Sequence, residues 1–337
     1  MSFYSRSMTL VALIATFIYC SCHPSPRCLL ISFDGFRWNY LNDNTSTPNF
    51  NKIIKNGVTA TRGVVNAFIT KTFPNHYSIV TGLYEESHGI VGNTMYDPLY
   101  KEVFHINNQK QVTESKWFDN GGEPVWVTNQ RQANMHRSGV MYWPGDAASV
   151  KGFLPYRYEV YNPDVTNKSR VDKVIDWFTD EYPINLGLLY FEQPDTLGHE
   201  VGPDSPEMKK MIEALDEVVG YLLQKIEEHD LGDLNVIITS DHGMSSTPKS
   251  KIIDLDKHIS PLSYQIFSSN PIGSVLPNEG MEDEIFKNLS SVPNLKVYRK
   301  GKDIPERFHY EHNRRIQPLL LVSEEGYSLR HNNSYVP

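Results

Sequence analysis

Apolar residues along this chain fall into two alternating spacings. Short unbroken apolar runs cover Cys28 to Phe33, Leu186 to Phe191 and Val236 to Thr239, and each is followed by an acidic residue. The first runs into Asp34-Gly35, the second reaches Asp195 after a proline, and the third ends in Ser240-Asp241-His242-Gly243. Their length and β-branched content predict buried strands. Between the last two lies a helical pattern, with Ser205 as N-cap, Pro206 in the first turn and apolar residues at Met208, Met211, Ile212, Leu215, Val218, Val219, Leu222 and Ile226. Helical spacing also covers Pro48 to Lys55, stopped by Gly57, then Val171 to Phe178, and a shorter stretch from Thr72 to Gly82. Strands alternating with helices predict an α/β fold, a mostly parallel central sheet with helices on both faces. Ligands bind such sheets at the carboxyl ends of the strands. The polar stretch from Tyr96 to Gly122 and the segment after Asp254 are expected to form surface insertions and a small peripheral subdomain.

No repeat, low-complexity tract or linker divides the sequence, so residues 23–337 read as one domain. Residues 1–22 carry Arg6, an apolar run from Met8 to Tyr19, and the small residues Cys20, Ser21 and Cys22. That order of basic, apolar and small residues is a signal-peptide pattern, and the run is shorter than the roughly 20 residues a membrane-spanning helix needs. Secretion, or display on the outer cell surface, is the expected address. Cleavage there leaves Cys28 as the sole cysteine, so a disulfide framework is excluded and the core must supply the stability. Sequons at Asn44, Asn167, Asn288 and Asn332 fit export.

The net charge of −8 excludes a basic footprint for a nucleic-acid duplex. It leaves room for a small anionic substrate if metal ions supply positive charge locally. The strand reading places Asp34, Asp195 and Asp241 along one sheet edge, where three carboxylates repel one another unless cations intervene. His242 adjoins Asp241 and His199 lies four residues beyond Asp195, a mixture of oxygen and nitrogen ligands that suits zinc. Each residue alone has a plainer reading, a strand-end aspartate as a helix cap or a surface histidine as a solvated one; the combination favours a metal site. Thr72, in Lys71-Thr72-Phe73-Pro74-Asn75-His76, begins a helix. It can cap that helix, and the same position offers amide groups and dipole charge to a phosphate beside a hydroxyl able to attack it. General acid–base catalysis supplies only about 10²- to 10⁴-fold, far below what phosphate-ester hydrolysis demands. Charge stabilisation by two metal ions is the expected main source of rate.

At these residues the sequence resembles the ectonucleotide pyrophosphatase/phosphodiesterase family of the alkaline phosphatase superfamily. The segments that carry the resemblance are Ser32-Phe33-Asp34-Gly35-Phe36-Arg37, Lys71 to Tyr77, Gly92-Asn93-Thr94-Met95-Tyr96-Asp97-Pro98, Glu192 to His199, and Thr239-Ser240-Asp241-His242-Gly243-Met244. The resemblance implies two zinc ions, one held by Asp34, Asp241, His242 and the Thr72 oxygen, the other by Asp195, His199 and a further histidine downstream. It implies that Asn93 and the Thr72 amide hold phosphoryl oxygens and that a base stacks between Phe73 and Tyr161, with Tyr156 and Tyr158 as competing alignments for the second ring. The downstream histidine belongs in a Gly-x-His-Gly-Tyr-Asp-like segment that this sequence does not contain. By that comparison the domain is incomplete at its carboxyl end, a membrane anchor there would be missing with it, and His331 is the nearest substitute ligand.

The resemblance implies a zinc-dependent hydrolase that cleaves nucleotide phosphodiester or pyrophosphate bonds through a covalent threonine intermediate. Two alternatives share the residues: a phosphodiesterase of choline-type lipids, whose quaternary ammonium also suits an aromatic pocket, and a secreted binding protein that keeps the fold without the catalysis.

Overall fold

The protein is described by a computed structural model covering residues 26–42, 44–132, 135–268 and 270–332. The signal-peptide expectation lies outside the described residues. Chain order gives β1 (Cys28–Phe33), a hairpin of β2 (Thr94–Asp97) and β3 (Glu102–His105), then β4 (Ser138–Met141), β5 (Arg157–Glu159), β6 (Leu186–Phe191) and β7 (Asn235–Thr239). The central sheet runs β5-β4-β6-β1-β7 with every pair parallel. Strand β6 is buried on both sides throughout, as a central strand covered by helices on its faces must be. Phe178 illustrates the cover: a Cβ on Gly187 of β6 would meet its ring at 2.8 Å, so the helix Asn167–Thr179 packs flush on a glycine.

The helix Pro206–Glu228 starts where its cap predicts, with the Ser205 hydroxyl accepting from the Met208 amide at 3.1 Å. Its buried Asp216 performs a second capping task. It accepts from the amides of Asn49 and Phe50 at 3.0 and 2.8 Å, at the start of the helix Pro48–Asn56, where Thr47 makes no side-chain cap.

Two expectations are corrected. Tyr96 to Gly122 is no polar surface insertion: Phe104, Trp117 and Phe118 are wholly buried in the main core. Asp97 is buried as well, between the guanidinium groups of Arg314 and Arg315. The apolar positions escaped the pattern because they sit on short elements too brief to show a period. Strand β7, expected to be buried, is the edge of the sheet among the described residues, and Ile237 is 51% exposed.

Part of the segment after Asp254 forms a small peripheral unit, while Ile272, Ile304, Tyr310, Ile316 and Leu320 pack in the main core. Strands β8 (Ile252–Asp254), β9 (Tyr264–Ser268), β10 (Ile272–Pro277), β11 (Leu295–Arg299), β12 (Leu319–Ser323) and β13 (Ser328–Arg330) follow in order. An antiparallel sheet β11-β12-β10-β9 is covered by the helix Glu282–Ser290 around its own apolar core, which includes Val275, Ile285, Leu289 and Leu321.

Candidate functional site

Parallel register brings the carboxylates together. Ser32 of β1 lies opposite Thr239 of β7, so Asp34 and Asp241, each two residues further on, leave the sheet side by side. Phe33 lies opposite Phe191, and the turn after β6 folds back so that the Asp195 amide donates to the Asp34 carbonyl at 3.0 Å. Gly35 makes that approach possible. Its φ of +66° suits glycine, and a Cβ there would stand 2.9 Å from the Asp195 Cβ.

Asp34, Asp241 and His242 offer ligand atoms within 4.8 Å of one another. His242 Nε2 lies 3.4 Å from Asp34 Oδ1 and 3.2 Å from Asp241 Oδ2. Asp195 and His199 make a neighbouring pair, 3.4 Å apart, on the helix Asp195–Val201, one turn from each other. Three buried carboxylate oxygens here accept no hydrogen bond: Asp34 Oδ1, Asp195 Oδ1 and Asp241 Oδ2. Buried acceptors almost always have partners. Three unsatisfied ones at a single sheet edge, next to imidazoles, are the donor set that a divalent cation takes up, so the residues fit a metal.

The electrostatics agree. Burial, then the charges of Asp241 and Asp195, push the Asp34 carboxyl well above its ordinary range. For Asp241 burial acts in the same upward direction, but His242 and His76 outweigh it and hold the carboxyl well below the usual value. The Asp195 carboxylate raises the His199 imidazole.

His76 is a residue that motif reading quoted without giving it a task. It is completely buried, with Nδ1 at 2.8 Å from the Thr72 carbonyl and 3.3 Å from Asp241 Oδ2. A carbonyl can only accept, so Nδ1 carries a proton, and Nε2 makes a hydrogen bond with the Ser32 hydroxyl at 2.9 Å. Trp143 donates to the His76 carbonyl at 3.0 Å and fixes the turn from behind. Tyr190, equally unforeseen, donates its hydroxyl to Asp34 Oδ2 at 2.6 Å. An i,i+4 spacing within Thr72-Phe73-Pro74-Asn75-His76 was the available signal for His76; nothing local marked Tyr190.

Thr72 opens the helix Thr72–Thr81 after an extended Lys71 that makes no side-chain cap. Asn93, from the turn before β2, accepts the Phe73 amide at 2.9 Å. With its oxygen engaged at the helix start, the NH₂ half of its amide is what Asn93 can offer a ligand. The structure thus brings Thr72, Asn93 and the acidic trio to one place through His76 and the first helical turn.

The two aromatic rings part company. Phe73 tilts against Phe104 and Phe118, at 6.0 and 6.4 Å between centroids. Tyr161 meets Tyr142 edge to face at 5.2 Å. Its hydroxyl is pushed up by burial and then by the charge of Glu192. Tyr156 and Tyr158 instead line a groove with Arg157, Lys173 and Asp180 at the β5 edge. His331, the proposed substitute ligand, follows β13 and has Asp256 as a charged neighbour. Among the sequons Asn44 and Asn332 are exposed, while Asn167 and Asn288 are half-buried on helices.

Fold and site together define the class: an α/β protein of alkaline-phosphatase-like architecture with a cluster of carboxylates and imidazoles that could hold a metal at the carboxyl ends of its strands. The chain belongs to the type I phosphodiesterase / nucleotide pyrophosphatase family, whose model matches residues 28–336. It is 45% identical to human ectonucleotide pyrophosphatase/phosphodiesterase family member 5 over 310 residues, 91% of this chain and 64% of that protein. It is 44% identical to the bis(5'-adenosyl)-triphosphatase enpp4 of Xenopus laevis, over 92% of this chain and 67% of that protein. The chain therefore spans about two thirds of the length of these relatives. Murine ectonucleotide pyrophosphatase/phosphodiesterase 5, solved as an inactive threonine-to-alanine variant in complex with AMP, superposes with a TM-score of 0.87 at 44% identity, over 91% of this chain and 81% of that one. No helix among the described residues is long and apolar enough to cross a membrane.

Proposed function

We propose that residues 23–337 belong to the catalytic domain of a secreted or cell-surface hydrolase that cleaves phosphodiester or pyrophosphate bonds of small nucleotides. The observation that carries the reading is the set of three unpartnered buried carboxylate oxygens beside a helix that begins with Thr72. Asp34, Asp241 and His242 are the ligands proposed for one zinc ion, with Thr72 as its fourth, and Asp195 and His199 for a second. Zinc bound there would supply positive charge to the phosphoryl group and make a hydroxyl nucleophilic near neutral pH.

The remaining work falls to the protein. The Thr72 oxygen attacks phosphorus in line, the bond to the leaving alkoxide or phosphate breaks, and a phosphothreonine diester forms. Water then attacks the same phosphorus, which frees Thr72 and releases a nucleoside monophosphate. The Asn93 NH₂ group and the Thr72 amide hold the non-bridging oxygens, where negative charge builds up. His76 steadies the Thr72 backbone against Asp241, and Tyr190 fixes Asp34. Phe73 and Tyr161 are the proposed walls for the base. The inactive threonine variant of the murine relative, with AMP bound, supports both the nucleophile and the nucleotide class.

The test is hydrolysis of the nitrophenyl ester of thymidine monophosphate by the secreted chain with added zinc. Release of nitrophenol that disappears in Thr72→Ala is the expected result. Equal release by the variant would overturn the assignment of the nucleophile, and a chain that binds AMP without turning over any ester would be a binding protein of the same fold.

A further inference from the structure

The side chain of Arg170 is 1% exposed and lies beside Tyr142, whose ring meets Tyr161. Burying a charge there is costly, and an apolar residue of similar volume would fill the space without that cost. What an apolar residue cannot do is reach several pieces of chain at once. Arg170 Nε donates to the Val165 carbonyl at 3.0 Å, in the loop that holds Tyr161. One terminal nitrogen, Nη1, donates to the Tyr190 carbonyl at 3.3 Å and to Glu192 Oε2 at 2.5 Å; the other, Nη2, reaches Glu192 Oε1 at 3.2 Å. The guanidinium plane also lies 5.1 Å from the Tyr142 ring, which in turn meets Tyr161.

Tyr142 has a φ of +72°, a left-handed conformation that bulky residues avoid. A residue strained in this way persists only where its surroundings hold it. Its backbone is bonded to the buried Asp146 carboxyl, and its ring is contacted by Arg170 and by Tyr161. The rigid fork of the arginine links the aromatic wall to the strand end whose Tyr190 orients Asp34.

We propose that Arg170, which touches none of the reacting groups, is a positioning residue for the base-binding wall and so sets the preference for phosphodiesters that carry a nucleoside. The inference rests on the nucleotide reading of the site given above. It separates from a purely structural role because it moves the KM of one substrate class and spares the other.

The experiment compares the nitrophenyl ester of thymidine monophosphate with bis-nitrophenyl phosphate, which has no base, for wild type, Arg170→Lys, Glu192→Gln and Tyr161→Ala, each checked by thermal melting. Lysine cannot make the forked contacts, so Arg170→Lys should raise KM for the nucleoside ester about tenfold, leaving kcat and the turnover of the baseless ester within about twofold and so lowering the ratio of kcat/KM for the nucleoside ester to that for the baseless one. Should that variant fail to fold, Glu192→Gln carries the test: it keeps the arginine and should move the same ratio in the same direction by about threefold. Equal losses on both esters, or an unchanged ratio in folded variants, would overturn the proposal. Tyr161→Ala distinguishes the two failures. If it too leaves the ratio unchanged, the base-wall reading falls as well; if it alone lowers the ratio, only the role of Arg170 falls.

Discussion

The Tyr190 hydroxyl donates to Asp34 Oδ2 at 2.6 Å while Oδ1 of the same carboxylate accepts nothing. One oxygen is thus aimed by the protein and the other is left for a ligand, beside Asp241 and His242. Positive charge at this point offsets the mutual repulsion of buried carboxylates.

Metal and stability should be linked through that arrangement. Chelation is expected to lower the melting temperature and added zinc to restore it, by on the order of 4 kcal/mol when zinc is about 1,000-fold above its dissociation constant. Asp34→Asn should sharply reduce the zinc-dependent rise, leaving what the Asp195–His199 site supplies, while the chelated protein stays at least as stable as chelated wild type. Calorimetry on both proteins, with and without chelator, checks this; a full zinc response in Asp34→Asn would remove Asp34 from the ligand set.

Asn93→Ala removes the acceptor for the Phe73 amide and the donor proposed for a phosphoryl oxygen. The structural loss should be about 1 kcal/mol. The loss in kcat should be far larger, about 10²- to 10³-fold, as for other donors that meet developing negative charge. Urea melts and steady-state rates on the same preparation separate the two effects.

Two buried groups near the start and end of the helix Glu85–His88 titrate in opposing senses. Burial lowers His88 from 6.5 to about 3, so between those values the unfolded chain takes up a proton that the native one refuses, and stability falls as pH falls. Burial raises Glu85 from 4.5 to about 7, so in that window the native chain keeps a proton that the unfolded one has released, and stability falls as pH rises. The two nearly cancel between pH 4.5 and 6.5. Glu85→Gln should unmask the histidine: relative to wild type, its stability should rise more steeply with pH across that interval, by about 3 kcal/mol in total. Denaturant melts at several pH values give the difference directly, and parallel curves for the two proteins would contradict it.

Asp97 joins the β2–β3 hairpin to the chain near residue 315. It accepts from Arg315 Nε at 2.7 Å and from Arg314 Nη2 at 2.7 Å. Burial alone would raise its carboxyl, but the two guanidinium groups hold it at about 2. Asp97→Ala would strand the buried Arg315 charge and should cost about 3–5 kcal/mol. The hairpin begins next to Asn93, so activity should fall along with stability in that variant, whereas Arg314→Ala, at the more exposed partner, should be much milder.

Much of this architecture was legible because its signals are local. The bounds of β1 and β6 follow from apolar runs, the Ser205 cap from its neighbours, and the convergence of Asp34 with Asp241 from parallel pairing. His76, Tyr190 and Arg170 were not legible, since each acts on groups brought near by the fold and each looks locally like ordinary helix or strand filling. The same holds for Asp97, whose partners lie more than 200 residues away in sequence. Strand β7 was misread for a different reason: an apolar run indicates which residues avoid water but carries no information on how many neighbours a strand has.

Along the outer side of β7 the backbone amides and carbonyls meet no further strand among the described residues, and Ile237 stands outward beside them. The segment has neither a proline nor a lysine to discourage pairing with another chain. Two molecules that meet edge to edge can extend each other's sheet with no change in fold. An edge of this kind is the place on the central sheet where a further strand can add by backbone pairing alone.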